Sequence, residues 1–279
     1  MHAGANKAGR ELGIDVVWKG PVREDDRSEQ VRVVEDFVTR GVDGIVLAPL
    51  DDTALVPSVK EAAARKIPVV IIDSDIEWQD RVSFVATDNY AAGGAAARRL
   101  SALLSGKGNV AMMRYEEGSA STMQREKGFS DTLAKEFAGV RVVSENQYGG
   151  ATTETAYKTA ENILVKLPGL DGVFCPNEST TFGMLRALED AHRAGHVKFV
   201  GFDASTKLVD ALSKGEIQGL VVQNPFAMGE RGVAALASVW DGKPIEKRVD
   251  TGVVVATPEN MKEPAVAALL SPDLDKWLR

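Results

Sequence analysis

Several residues and motifs that would point to particular functions are scarce in this sequence. The chain of 279 residues has a single cysteine, Cys175, which excludes an intrachain disulfide and a CxxC site. Its three histidines are scattered, and His192 and His196 fall at the end of a predicted helix and in the loop after it, where solvated side chains rather than metal ligands are expected. Neither a nucleophile-elbow motif nor a P-loop motif occurs. We therefore expect no catalytic residue, no metal ion and no cofactor.

The sequence is also short of positive charge and of long apolar runs. Its 33 Lys and Arg residues stand against 40 Asp and Glu residues, a formal net charge of −7, so a nucleic-acid partner is not expected. No apolar run approaches the roughly 18 residues of a membrane span, and we expect no membrane insertion of this chain. The first 13 residues are polar and rich in Gly and Ala, unlike a signal peptide. The remaining composition is normal for a globular protein in water.

Short runs rich in Val and Ile alternate with longer amphipathic stretches. The runs predict strands at Ile14–Trp18, Gly44–Ala48, Pro68–Ile72, Val82–Ala86, Asn109–Met113, Val140–Ser144, Gly172–Cys175, Lys198–Gly201 and Gln218–Val222. The stretches between them predict helices at Ser28–Arg40, Asp52–Arg65, Tyr90–Leu104, Ser121–Phe137, Thr152–Lys166, Thr180–Arg193, Ser205–Ser213 and Pro225–Trp240. Alternation of this kind predicts the α/β class with doubly wound parallel sheets.

Two similar phrases mark an internal repeat. The phrase "VDGIVLAP" in the first half corresponds to "LDGVFCPN" in the second. After each phrase come a predicted helix and a strand that ends in an aspartate. From Asp43 to Asp73 is 30 residues, and from Asp171 to Asp203 is 32. The repeat predicts two lobes of like topology.

The repeat also predicts that the first lobe lacks its opening strand. In the second half, the helix "MQREKGFSDTLAKEF" follows the strand "GNVAMMRY" and a loop, whereas in the first half the matching helix "HAGANKAGREL" is preceded only by Met1. We expect a late start of the chain within this lobe; a misassigned start codon and another segment in that place are the alternatives. Because a missing strand exposes backbone donors and acceptors, we also expect a swapped or borrowed segment, or poor solubility.

Polar residues follow the apolar runs at five places. Ligands of open parallel sheets bind beyond the carboxyl ends of the strands, and the five residues there are Asp73, Asp88, Asn177, Asp203 and Gln223. Helix capping is the alternative for each of them. Carboxylates and amides match the adjacent hydroxyls of a neutral polyol, and Arg125 would add a fork of donors or form a surface salt bridge. We interpret the set as one cleft shared by two lobes.

Aromatic residues and small residues add weaker signals. Trp78, Tyr115 and Tyr148 are candidates to stack on a sugar at the rim of the cleft. The stretch "AAGGAAA" at Ala91–Ala97 predicts close helix packing rather than a phosphate cradle.

These motifs, in order, resemble a known family. "VDGIVLAPLD", "IPVVIIDSD", "VATDN", "MQREKGF", "VFCPNESTTFGMLRAL", "VGFDAS" and "VVQNP" are similar to segments of ribose-binding-type periplasmic proteins, the type I solute receptors of bacterial ABC sugar importers. The related effector domains of lac-repressor-type regulators share this pattern. The resemblance implies ligand contacts from Asp73, Ser74, Asp88, Arg125, Asn177, Asp203 and Gln223. Ser74 stands where the family often has an arginine, and Tyr148 lies close to the position of an aromatic that some members have.

The resemblance also implies lobes of residues 1–87 plus 224–250 and 88–223 plus 251–279, joined by a three-stranded hinge that closes over the ligand. A small sugar or polyol and a membrane permease are the implied partners. The implied location is periplasmic or extracytoplasmic, with the signal peptide lost together with the N-terminus. The main alternative is the effector-sensing domain of a sugar-responsive transcriptional regulator. A glycosidase that uses Asp73 and Asp203 as its carboxylate pair is a second alternative, which no other motif supports.

Overall fold

Two β-sheets, each covered by helices on both faces, carry the core of the protein. The structure is a computed structural model and describes residues 1–278. The helices are α1 (His2–Leu12), α2 (Arg27–Arg40), α3 (Val56–Ala64), α4 (Asn89–Leu103), α5 (Ala120–Glu136), α6 (Thr153–Lys166), α7 (Glu178–Asp190), α8 (Thr206–Lys214), α9 (Pro225–Trp240), α10 (Pro264–Leu270) and α11 (Asp275–Leu278). The strands are β1 (Ile45–Leu47), β2 (Val69–Ile72), β3 (Phe84–Ala86), β4 (Gly108–Arg114), β5 (Val140–Tyr148), β6 (Gly172–Phe174), β7 (Lys198–Phe202), β8 (Gly219–Gln223), β9 (Arg248–Asp250) and β10 (Val253–Ala256). The predicted α/β class with two lobes is confirmed.

The first sheet has the order β1-β2-β3-β9, and all its pairs are parallel. Strands β2 and β3 are buried on both faces, which explains their continuous apolar runs. Helices α2 and α3 cover one face, where Val34 and Val59 are part of the core, and α9 covers the other with Met228 and Leu236. This sheet and the helices on it form the first lobe.

The second sheet has the order β10-β8-β7-β6-β4-β5. Its strands are parallel except β10, which runs antiparallel to β8 with Val253 opposite Gln223. Helices α4 and α5 pack on one face around Phe129 and Phe174, whose rings stack with centroids 4.3 Å apart. Helices α6, α7, α8 and α10 cover the other face, and together these elements form the second lobe.

The chain crosses between the lobes three times: between β3 and α4, between β8 and α9, and between β9 and β10. The first and third crossings are joined, since the Thr251 N–H donates to the Ala86 carbonyl at 3.2 Å. All strands of the first sheet lie within residues 1–87 and 224–250, and those of the second within 88–223 and 251–279, so these ranges remain our proposal for the lobes. One difference concerns α11, which lies against α1 of the first lobe, where the Asn6 side chain donates to the Trp277 carbonyl at 2.9 Å.

Two local predictions were wrong. The segment Ile14–Trp18 is not a strand, because no strand among residues 1–278 lies beside it to share hydrogen bonds; Ile14 and Val16 instead pack their side chains near α1. Helix α2 also begins before Ser28, the first residue of its predicted range. The Asp26 carboxylate accepts the Glu29 N–H at 2.8 Å, so the cap lies two residues earlier.

Helices α4 and α5 approach each other closely at glycines, as the "AAGGAAA" stretch predicts. A Cβ on Gly93 would lie 1.9 Å from the carbonyl oxygen of Arg125, and one on Gly128 would lie 2.0 Å from that of Tyr90. The same device joins α1 and α9, where a Cβ on Gly4 would lie 1.9 Å from the Phe226 carbonyl oxygen. Close backbone contact therefore fixes α5, and with it Arg125, against the rest of the second lobe.

Replacing Gly93 with alanine is expected to destabilise the protein by about 2 kcal/mol, because the added methyl group forces α4 and α5 apart. Urea unfolding followed by circular dichroism measures this free energy. Gly169→Ala is the matched control, since a Cβ there meets no atom within 4 Å. Equal stability of the two variants would contradict the packing explanation.

Candidate ligand-binding site

Asp73 and Asp203 occupy equivalent positions in the two lobes. Asp73 directly follows β2 and Asp203 directly follows β7. Both have a left-handed backbone, with φ of 65° and 66°, a conformation that aspartate tolerates better than most residues. The Asp73 N–H donates to the Val85 carbonyl at 3.0 Å, and the Asp203 N–H donates to the Val221 carbonyl at 2.9 Å. The repeat seen in the sequence thus places one carboxylate at the carboxyl edge of each sheet.

The Asp73 carboxylate is free to accept hydrogen bonds from a ligand. Within residues 1–278 it has no hydrogen-bond or ion-pair partner at contact distance, and it is half-buried. Burial raises the pKa of this carboxyl above its ordinary value; the positive charge of Arg125 opposes the rise, and the negative charge of Asp203 adds to it. The effect of the Asp203 charge on Asp73 requires the two carboxylates to lie near each other, at the carboxyl edges of the two sheets.

Asp73→Asn is expected to raise the melting temperature of the ligand-free protein at neutral pH. A carboxyl whose pKa is raised on folding holds its proton more readily in the folded state, so stability falls as pH rises from the ordinary carboxyl pKa to the raised value. The amide removes this penalty. Its advantage should disappear below the ordinary carboxyl pKa, where Asp73 is protonated in both states. Thermal unfolding at neutral and acidic pH measures both effects; a variant that melts at or below the native protein at neutral pH would contradict them.

Arg125 is the centre of a buried hydrogen-bond network. It is only 3% exposed, although it carries a formal charge. Its Nε donates to the Asn89 side chain at 2.8 Å, one Nη donates to the Pro176 carbonyl at 2.9 Å, and the other donates to the Gln223 side chain at 2.8 Å. Its guanidinium carbon lies 4.0 Å from the centroid of the Phe202 ring. Arg125 thus connects α5 to α4, β7, β8 and the end of β6. It does not form the surface salt bridge that was its alternative role.

Gln223 connects Arg125 to Asp203. Its amide oxygen accepts from Arg125, and its amide nitrogen donates to Asp203 Oδ1 at 2.7 Å. The side chain is 6% exposed, so the amide orientation is fixed from both sides. The resulting chain holds the Asp203 carboxylate in one position while its second oxygen remains for a ligand. Three of the predicted residues are therefore brought together.

Asp88 and Asn177 cap helices. The Asp88 side chain accepts the Ala91 N–H at 2.9 Å at the start of α4. The Asn177 side chain accepts from Thr180 Oγ1 at 2.6 Å at the start of α7. Capping uses only part of each side chain, so a contribution of either residue to ligand binding stays a prediction.

Ser74 is buried and links the lobes. Its hydroxyl oxygen accepts the Ser121 N–H of α5 at 3.1 Å. The residue that replaces the family's frequent arginine thus bonds protein rather than adding a charge to the cleft, and a ligand contact from it stays a prediction.

The three aromatic candidates lie in different surroundings. Trp78 is 5% exposed and packs in the core of the first lobe, so its prediction as a rim residue was wrong. Tyr115 and Tyr148 line a cavity of about 770 Å³ beside the cleft. The Tyr115 hydroxyl donates to the Glu24 carboxylate at 3.3 Å, and Tyr148 accepts from Arg114 at 2.6 Å. Stacking of either tyrosine on a sugar stays a prediction.

Sequence reasoning missed three residues near the two aspartates. Glu24 lies in the polar loop before α2; partial desolvation raises the pKa of its carboxyl, the hydrogen bond from Tyr115 opposes the rise, and the charges of Asp73 and Asp203 add to it. Asn89 holds Arg125, and Phe202 lies beneath it. Asn89 and Phe202 each adjoin a residue that the sequence did select, which is the one signal that could have found them.

Residues 1–278 contain neither a cluster of metal-ligating side chains nor a membrane-spanning helix. No group of three or more His, Cys, Asp or Glu side chains in this part of the chain could hold a metal ion. None of its helices is long and apolar enough to cross a bilayer.

Comparison with known proteins identifies the family. The model of the periplasmic binding protein domain matches residues 1–244. A crystal structure of an ABC transporter solute-binding protein from Agrobacterium vitis with bound D-fucose is 36% identical, with a TM-score of 0.92 over 96% of this chain and 93% of that one. This protein therefore belongs to the periplasmic binding protein domain family and has its type I fold.

Curated relatives agree with this assignment. A D-ribose/D-allose-binding protein of Pseudomonas aeruginosa is 31% identical, and the match covers 88% of this chain and 77% of that protein. A xylitol-binding protein of Mycolicibacterium smegmatis is 28% identical over 84% of this chain, and the match spans 66% of that protein's length. The family consists of binding proteins rather than enzymes.

Proposed function

We propose that this protein captures a small neutral polyol, in the first place a monosaccharide, between its two lobes. The observation that carries the proposal is the pair Asp73 and Asp203: one carboxylate at the carboxyl edge of each sheet, in the same backbone conformation, with the charge of Asp203 acting on Asp73. Carboxylate oxygens accept from neighbouring sugar hydroxyls, and Arg125 has N–H groups beyond its three protein bonds to donate in return. The sugars and sugar alcohol in the names of the relatives support this ligand class.

The proposed mechanism is capture by closure. In the open state each lobe presents half of the hydrogen-bonding groups; in the closed state both halves contact the ligand, so ligand binding favours closure. A membrane permease would then recognise the closed form, in a periplasmic or other extracytoplasmic compartment. We expect the ligand to be released unchanged, because the family to which the chain belongs consists of binding proteins.

Isothermal titration against a panel of pentoses, hexoses, cyclitols and sugar alcohols tests the proposal. We expect a heat of binding and a dissociation constant in the micromolar range or below for at least one of them. The ligand recovered after denaturation should have its original mass. No heat with any member of the panel, at protein concentrations of about 100 μM, would rule out the sugar assignment.

A further inference from the structure

The lobes also touch each other along the loop that follows β4. This loop, residues 115–119, belongs to the second lobe, and we term it the bridging loop. The Asp52 N–H of the first lobe donates to the Gly118 carbonyl at 2.9 Å. The Arg27 guanidinium of the first lobe donates to the Glu117 carbonyl at 2.6 Å. Both acceptors are backbone groups of the bridging loop, so the contact depends on the path of the chain.

Arg27 is held in place from its own lobe. Its other Nη lies 2.9 Å from Asp51 Oδ2. Asp51 is buried, and its second oxygen accepts the N–H groups of Thr53 at 2.9 Å and Ala54 at 2.7 Å. Burial alone would raise the pKa of Asp51, but these bonds and the Arg27 charge leave it below the ordinary value. A fixed carboxylate thus aims the guanidinium across the gap, where Glu116 adds a second acidic neighbour at 3.8 Å.

Gly118 is the residue that lets the lobes meet. Its φ is +86°, a left-handed conformation that favours glycine. A Cβ there would lie 2.3 Å from Asp51 Oδ2 and 3.5 Å from the Arg27 guanidinium. Any side chain at position 118 would therefore push against the first lobe at the point where Arg27 and Asp52 bind.

We propose that Arg27, Asp52 and Gly118 form a latch between the lobes. Its hydrogen bonds join one lobe to the other without involving the ligand, and by favouring the closed state they raise ligand affinity. The proposal rests on the proposed function in one respect, namely that closure and ligand binding are coupled. Apparent affinity falls in proportion to the fraction of molecules that can adopt the binding-competent state. Each latch bond that forms only between closed lobes raises that fraction, and its loss lowers affinity from outside the site.

Two variants break the latch in different ways. Arg27→Ala removes the bond to Glu117, and its side chain is already 42% exposed, so folding should persist. Gly118→Ala keeps every hydrogen-bonding group but adds the clash with Asp51. Arg32→Ala is the control for the first, because Arg32 lies on the same helix and pairs with Glu29 of its own lobe. Gly106→Ala is the control for the second, since it has φ of +76° with no atom within 4 Å of a Cβ.

Small-angle scattering of the ligand-free variants and isothermal titration with the sugar found above test the latch. We expect a larger radius of gyration and about tenfold weaker binding for both latch variants, and native values for both controls. Circular dichroism confirms folding, and Arg27→Gln replaces Arg27→Ala where it fails. Native radius of gyration in the latch variants, or equal changes in the controls, would overturn the proposal. If the native protein binds no sugar, the proposed function fails, while the scattering of the ligand-free proteins still decides the latch.

Discussion

Replacing Asp203 with alanine is expected to weaken sugar binding about thirtyfold or more, which corresponds to about 2 kcal/mol. The variant removes an acceptor for the ligand hydroxyls and leaves the Gln223 amide nitrogen without the oxygen that it now contacts at 2.7 Å. Gln223 then loses one of the two bonds that orient it, so the ligand also meets a less ordered site. Isothermal titration with the best sugar of the panel gives the affinity ratio.

Two controls separate the lost carboxylate from other effects of the change. Asp203→Gly removes the same group but accepts the left-handed φ of 66° without strain, so it should lose as much affinity at a smaller cost in stability. Asp210→Ala removes an equal charge from the same lobe, where Asp210 pairs with Lys214 on the exposed side of α8, and should bind as the native protein does. Native affinity in Asp203→Ala would remove this residue from the site.

The pairing of the two aspartates could be predicted from the sequence because it depends on local features. Asp73 and Asp203 each end an apolar run, and parallel strands with similar flanking helices bring such ends to the same edge of a sheet. The sequence also contains the repeat that relates them, so two lobes with one aspartate at the edge of each sheet follow without any knowledge of long-range contacts. The structure adds that the repetition extends to the backbone conformation, with φ values one degree apart.

The direction in which each polar side chain points could not be predicted in the same way. Asp88, Asn177 and Asp203 all follow strands, yet the first two cap the helices that begin beside them. Asp203 lies three residues before α8, too early to cap it, and its left-handed φ turns the chain away. The prediction for Trp78 was wrong for another reason. The polar residues around it resemble a rim loop, but its indole packs in the core of the first lobe.

Short strands and contacts between the lobes could not be predicted from the sequence either. The three residues of β9, "RVD", have no apolar run, and they become a strand because β3 offers an unpaired edge. The reverse holds for Ile14–Trp18, which has the run but no partner strand among the described residues. Arg27 and Glu117 are 90 positions apart, so nothing local relates them. Register and pairing depend on neighbours, which composition and periodicity do not identify.

Arg125→Lys is expected to abolish measurable sugar binding and to destabilise the protein by about 3 kcal/mol, or roughly 6 to 12 °C in melting temperature. Lysine keeps the charge but has one nitrogen, which cannot reach Asn89, the Pro176 carbonyl and Gln223 from the positions of three separate nitrogens. At least two buried partners lose their hydrogen bonds, each at a cost of about 1 to 3 kcal/mol. Thermal unfolding and titration calorimetry measure the two losses separately.

Arg186→Lys is the matched control, because Arg186 is exposed on α7 and its guanidinium contacts the Tyr157 ring instead of a buried network. It should retain native affinity and nearly native stability.

Arg125→Lys and Gln223→Glu also distinguish two roles of the arginine. If its charge alone mattered, the lysine variant would bind sugar, whereas an orienting role predicts that Gln223→Glu, which keeps an acceptor for Arg125 but loses the donor to Asp203, also loses affinity. Native binding by either variant would show that the path from Arg125 through Gln223 does not position the Asp203 carboxylate.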